Sequence, residues 1–323
     1  MIIVAGLLFC VYFLLGYFKD RNVKISYAIL FVILSFVLKF SIDVTKTADY
    51  DSYLHIIAID TSAFSLKSLF TEPYFFQLGS WFLKYYSAEH SLAFFYEFSF
   101  IFSTIFFIWL AFLKNVSTFN KVVIFSLYYS FFAYIILRNA PAYMLSAVCF
   151  YYLHKNKYLK ITVLSFLLHL SSLPTIIFSF LKNKSGDKKL IILCLLYALS
   201  FHMLVRIELF GIYEKFLVYA SLKNPSQGIF HQMYFYFFII FNIYLLFVKK
   251  EIIYNYTYLL LFTTYIILNY TNSVMGYRFS VYLVLYLMIN PNMIYNENSR
   301  PRLLFLLPVF FTLFIVNYLI LQK

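Results

Sequence analysis

SLAFFYEFSFIFSTIFFIWLAFL, residues Ser91–Leu113, decides the fold class, because an apolar run of this length with a single charged side chain matches the ~17–25 residues that cross a hydrocarbon core as a helix. Working outward, comparable runs stand at Ile2–Phe18, Ile25–Ile42, 122–137, 139–154, 190–205, 230–248, 252–270, 279–294 and 303–321. Composition agrees. Of 323 residues, 63% are hydrophobic, 24% aromatic and 12% charged, with a mean hydropathy of +0.81, against about 45–50% apolar and 25% charged in soluble domains. The expectation is an all-α polytopic integral membrane protein that folds as one membrane domain over 1–323, since spans packed in one bilayer form a single helical body. The net charge of +13 belongs to loops on the cytoplasmic side and not to a nucleic-acid surface. Cys10, Cys149 and Cys194 lie inside apolar runs without ligand spacing, so neither disulfides nor a zinc site is expected.

The basic residues set the orientation. Lys19, Arg21 and Lys24 follow the first run and do not precede it, the reverse of a cleavable signal peptide, so the N-terminus is placed outside. The second run returns the chain to the external side, where residues 43–90 form a long acidic connection with Asp43, Asp49, Asp51, Asp60, Glu72 and Glu89. Lys114 and Lys121, residues 155–160 and 182–189, Lys249 and Lys250, and Arg300 and Arg302 mark cytoplasmic loops, with a second external loop at 206–229. The stretch 161–181 is flanked by basic clusters on both sides. It is read as a re-entrant pair of half-helices broken at His169-Leu-Ser-Ser-Leu-Pro174, which membrane depth tolerates where the break lines a cavity. The total is about ten spans plus this hairpin, or twelve if both halves are counted, in the ~17–25-residue register of membrane helices. The many Phe and Tyr residues are assigned to lipid contact and packing.

Ionisable groups inside or bordering apolar runs are costly and mark function. Three stand out: Arg138 in Ile-Ile-Leu-Arg-Asn-Ala-Pro-Ala, His169, and Arg278 in Met-Gly-Tyr-Arg-Phe-Ser. Each also has an ordinary explanation: a snorkelling interfacial arginine, a buried histidine satisfied by a carbonyl, and a loop charge. Two arginines and a histidine without a membrane carboxylate cluster suit a diphosphate, which guanidinium forks bind through paired charge-assisted hydrogen bonds. In the first external loop, Asp49 with Tyr53 and Asp51 with His55 stand at i,i+4 on a helix. A carboxylate there is able to orient or deprotonate a sugar hydroxyl. Glu72-Pro73 opens an apolar segment expected to be a helix over 73–86, lying on or dipping into the external leaflet. Sequence patterns for a serine hydrolase, a nucleotide-binding loop, a zinc protease or an EF-hand are missing.

These residues resemble a family. Thr47-Ala-Asp49-Tyr-Asp51-Ser-Tyr53, then Glu72-Pro73-Tyr74, then Arg138-Asn139-Ala-Pro-Ala, Lys155-Asn-Lys-Tyr-Leu-Lys and Phe166-Leu-Leu-His169-Leu-Ser171-Ser, stand in the order and spacing of the EpsG-like branch of Wzy-type polysaccharide polymerases. Arg278 resembles an arginine that begins a late span in such proteins. The likeness covers roughly 45–175 and, more weakly, 272–290. Ala48 replaces a usual glycine and Asn139 a common glutamine.

The resemblance implies an enzyme of the bacterial cytoplasmic (inner) membrane that joins undecaprenyl-diphosphate-linked oligosaccharide repeats at the outer face, for O-antigen, capsule or exopolysaccharide. Arg138 and Arg278 would stabilise the leaving diphosphate, and His169 or Asp49 would act as the acceptor's base. Asp51, Tyr53, Glu72, Asn139, Ser171 and Tyr277 are the substrate-binding candidates. Neither a metal nor another cofactor is expected, since the arginines supply the charge a divalent ion would. Partners would be membrane lipids and a polysaccharide chain-length regulator, with no nucleic acid. Rival readings are a flippase for the same lipid-linked glycan, a ligase moving finished polymer, a membrane acyltransferase, and a structural membrane protein.

Overall fold

The computed structural model describes residues 2–47, 49–60, 73–154, 165–172, 175, 229–248, 255–271, 273–289 and 300–320. Every regular element among them is helical: α1 (Ile2–Tyr17), α2 (Arg21–Phe40), α3 (Tyr50–Asp60), α4 (Pro73–Leu83), α5 (Ala88–Phe112), α6 (Thr118–Ser130), α7 (Ala140–His154), α8 (Ile229–Val248), α9 (Tyr256–Thr271), α10 (Ser273–Ile289) and α11 (Arg300–Ile320), with short 3-10 and π turns between some of them. Glu72, Cys194, the expected span 190–205, the loop at 206–228 and the clusters at 155–160 and 182–189 lie outside the described residues. The chain groups into two compact units, Met1–Met144 with Met288–Lys323, and Leu145–Leu287.

Helix starts in the first unit follow from side-chain caps. Asp20 accepts from the Asn22 and Val23 amides at 2.8 and 3.0 Å and starts α2. Ser87 caps α5 through the His90 amide and Ser117 caps α6 through the Asn120 amide, each satisfying a donor that the helix itself leaves orphaned. Helices α2 and α5 run antiparallel. Lys24 meets the Ala111 carbonyl near one end, and 15 residues on, about 22 Å at helical rise, Lys39 pairs with Glu97.

Packing around Phe125 is aromatic: it stacks on Tyr12 at 4.0 Å and on Phe314 at 4.9 Å, and takes Phe107 edge-on at 5.4 Å. Such contacts act through close van der Waals fit and the edge-to-face and offset geometries that aromatic rings prefer. Polar side chains tie neighbouring elements to backbone: Thr118 to Gly16 O, Asn317 to Ser126 O, Asn120 to Met288 O.

The second unit has a buried amide network. Asn242 Nδ2 donates to Phe238 O at 2.6 Å while its Oδ1 accepts from the Tyr258 hydroxyl at 2.9 Å. Asn255 Oδ1 accepts from both the Tyr258 amide and the Tyr286 hydroxyl. Buried amides stay affordable when their donors and acceptors are satisfied in this way.

Two helices, α2 and α5, are long and apolar enough to cross a membrane, and five shorter apolar helices accompany them among the described residues. Helix α4 begins at Pro73, as expected. The described part of the 43–90 connection is largely helical, holding α3 and α4. Helix α10 starts at Ser273, six residues before the expected run at 279, so Tyr277 and Arg278 lie inside the helix and not at its border. Polar residues there lower hydropathy without breaking hydrogen bonding, and Gly276 permits a close helix contact. The described part of 161–181 breaks at His169, between a helical turn at Ser165–Leu168 and a 3-10 turn at Leu170–Ser172.

Candidate functional site

The candidate residues between Asp43 and Asp60 in the first unit are built on a short turn. Asp43 accepts from the Thr45 amide and hydroxyl at 3.2 and 2.6 Å, and the Thr45 hydroxyl holds its carboxyl below the ordinary value. Thr47 donates to Val44 O or bonds the Tyr96 hydroxyl, at 2.8 and 3.0 Å. Asp49, half-buried, gives its carbonyl to the Tyr53 amide at the start of α3. Asp51 and His55 are exposed on that helix, where an acid in the first turn suits the helix dipole. Tyr50 feels the carboxylates of Glu89, Asp51 and Asp43, and with burial as the larger cause its hydroxyl is pushed up.

Tyr53 turns inward. Only 8% exposed, its ring lies 5.8 Å from Phe75 and its hydroxyl donates to Ile135 O at 3.2 Å. Phe75 packs on Phe95 at 4.7 Å. Above the Phe75 ring, at 5.6 Å from its centroid, sits the Arg138 guanidinium, a cation on the negative face of the aromatic quadrupole.

The chain reaches Arg138 through a π turn at Phe131–Ile135, closed by the Ile136 amide on Phe131 O at 2.8 Å. Single π turns inside helices occur often at functional sites. Ser99 donates to Phe132 O at 2.5 Å, so both Phe132 and Ile135 carbonyls are held by side chains of other helices. Asn139, buried, points Nδ2 at the Tyr143 hydroxyl of the helix that follows it, at 3.4 Å.

In the second unit, His169 Nδ1 accepts the Ser171 backbone amide at 3.1 Å and lies 2.8 Å from the Ser171 hydroxyl. A ring nitrogen that accepts an N–H carries no proton, so the neutral imidazole has its proton on Nε2. The Ser171 hydroxyl also meets the Tyr282 hydroxyl at 2.9 Å. Arg278 is exposed and Tyr277 half-buried; Tyr282, one turn beyond Arg278, shares its face of α10. Thus His169, Ser171 and the helix bearing Arg278 are linked through Tyr282.

Three parts of this geometry escaped the sequence reading. Phe75 was only part of an apolar helix, and nothing in its neighbours marks a cation platform. Tyr282 could have been found by its i+4 spacing from Arg278. The π turn has no sequence signature. Among the described residues no group of three or more His, Cys, Asp or Glu is placed to hold a metal ion.

The EpsG family model matches residues 3–323, nearly the whole chain, and the chain belongs to the EpsG family. No curated protein and no solved structure is detectably similar to it.

Proposed function

From membership of the EpsG family over residues 3–323, we propose that this chain is a membrane glycosyltransferase that polymerises lipid-diphosphate-linked oligosaccharide repeats, in the Wzy manner, on the outer face of the bacterial cytoplasmic membrane. The family match carries the reading. The apolar helices support a membrane setting, and α2 leaves Ile25, Ile29, Ile33, Phe36 and Phe40 uncovered, an apolar stripe suited to lipid. Ten to twelve spans, a single membrane domain, a re-entrant pair at 161–181 and a chain-length regulator as partner belong to the same proposal.

In the proposed reaction a hydroxyl of the acceptor glycan attacks the anomeric carbon of the donor's reducing-end sugar. The bond from that carbon to the diphosphate oxygen breaks, and undecaprenyl diphosphate leaves with the electron pair. Arg138 and Arg278 stabilise the charge that develops on it, the preorganised electrostatics that supplies much of catalysis. His169, with its proton on Nε2, suits hydrogen-bond donation better than proton abstraction. The acceptor proton therefore goes to Asp49. Asp51, Tyr53, Glu72, Asn139, Ser171 and Tyr277 orient sugars or support those groups.

The test is the surface glycan of a deletion strain displayed as a ladder, with wild type or Arg138→Ala supplied in trans. Long chains restored by wild type and a single repeat left by Arg138→Ala are expected. Full-length chains with Arg138→Ala overturn the arginine's role. Loss of all surface glycan in the deletion, with lipid-linked units accumulating on the inner face, would make the chain a flippase.

A further inference from the structure

Lys24 and Lys121 served the sequence reading only as markers of topology, yet the fold uses them together. Lys24 comes from α2 and Lys121 from α6, and each donates to the same oxygen, Ala111 O near the end of α5, at 2.9 Å. Their ammonium groups are therefore no farther apart than those two bonds laid end to end. Both side chains are withdrawn from solvent, 8% and 3% exposed. Lys24 also lies over the Phe112 ring, 5.4 Å from its centroid. The ion pairs Lys39–Glu97 and Lys46–Asp43 do not involve this pair. The closest acid in sequence, Asp20, is engaged in capping α2. Lys114, exposed on the same side, adds its field at Lys24.

A helix C-terminus carries about half a negative charge, enough to explain one capping lysine. A second lysine on the same carbonyl is more than that half charge accounts for. Each ammonium has three donors, and the Ala111 bond uses one of each, so the pair presents further N–H groups around an unbalanced positive charge. A tetrahedral phosphate-type oxyanion fits that need, because its oxygens accept from both lysines and its negative charge offsets theirs.

We propose that Lys24, Lys121 and Lys114 form a site for a phosphate group, carried by an anionic phospholipid headgroup or free as inorganic phosphate. The site uses none of the residues given a role in the proposed reaction and does not depend on the polymerase reading.

The experiment uses the purified full chain in a neutral detergent, with melting temperature and native mass spectra as readouts. Probes are phosphatidylglycerol, phosphatidylcholine as zwitterionic control, and inorganic phosphate against chloride at equal ionic strength. A rise of about 2–4 °C is expected near saturation, from phosphatidylglycerol if the phosphate is a headgroup and from inorganic phosphate if it is free. That rise should vanish in Lys24→Gln and Lys121→Gln and persist in Lys19→Gln. Since losing Lys121 also removes a helix cap, Lys114→Gln gives a second reading from an exposed position and should lower the rise. No stabilisation of wild type by either probe, or a rise unchanged in Lys24→Gln and Lys114→Gln, overturns the site.

Discussion

Arg138 and Arg278 entered as a pair, two arginines beside apolar runs, but their surroundings differ in kind. Arg138 follows a π turn whose Phe132 and Ile135 carbonyls are held by Ser99 and Tyr53, and its guanidinium lies on Phe75. Arg278 stands exposed on an uninterrupted helix. That helix is positioned by backbone approach: a Cβ added to Gly276 would lie 2.5 Å from Asn269 Cβ and 2.6 Å from its Cα. The first region is fixed by polar and aromatic side chains, the second by the absence of one. A fixed cation suits a charge that develops at one place in a transition state, and an exposed one suits recruiting an anion from many approaches.

The largest effect should come from changing guanidinium to ammonium at constant charge. Arg138→Lys loses the planar fork and its fit to the Phe75 face. Long-chain glycan, measured by ladder densitometry at equal protein level, should fall by about tenfold or more, the ~1.4 kcal/mol scale of one strong charge-assisted contact. Arg278→Lys should stay within about threefold of wild type, since an exposed charge tolerates the exchange. Equal losses at both positions would erase the distinction between them.

Next comes Gly276→Ala. A methyl placed against Asn269 backbone cannot be relieved by a rotamer change, and overpacking of this sort costs about 1–3 kcal/mol. A fall of several degrees in the melting temperature of the purified chain is expected. Pairing it with Asn269→Ala should give no rescue, because Asn269 Cβ and Cα are themselves the atoms met. Full rescue would show that the amide end, and not backbone approach, sets the contact.

These contrasts also explain what was legible beforehand. The helix start at Pro73 and the break at His169 could be read because Pro and the His-Leu-Ser-Ser-Leu-Pro run act locally on backbone. Tyr53 was visible as i+4 from Asp49, yet its hydroxyl is spent on Ile135, a partner 82 residues away that no local pattern specifies. The start of α10 was misplaced because Gly276, Tyr277 and Arg278 read as a polar boundary, whereas Gly276 serves a contact with another helix. Lys24 and Lys121 looked like loop charges for the same reason: their shared carbonyl exists only once three helices have packed.

The smallest effect is the most discriminating about Tyr53. Tyr53→Phe keeps the ring against Phe75 and removes the bond to Ile135 O, a net loss of about 1 kcal/mol for a neutral hydrogen bond. If Tyr53 works through the Ile135 carbonyl, three residues before Arg138, the loss appears in stability and in turnover at saturating donor, about fivefold at most, while the apparent KM for lipid-linked donor stays put. A hydroxyl that touches sugar directly predicts the opposite division, with KM raised and stability unchanged. The geometry favours the first outcome. A raised KM at unchanged melting temperature would return Tyr53 to the substrate-binding set and separate its role from the placement of Arg138.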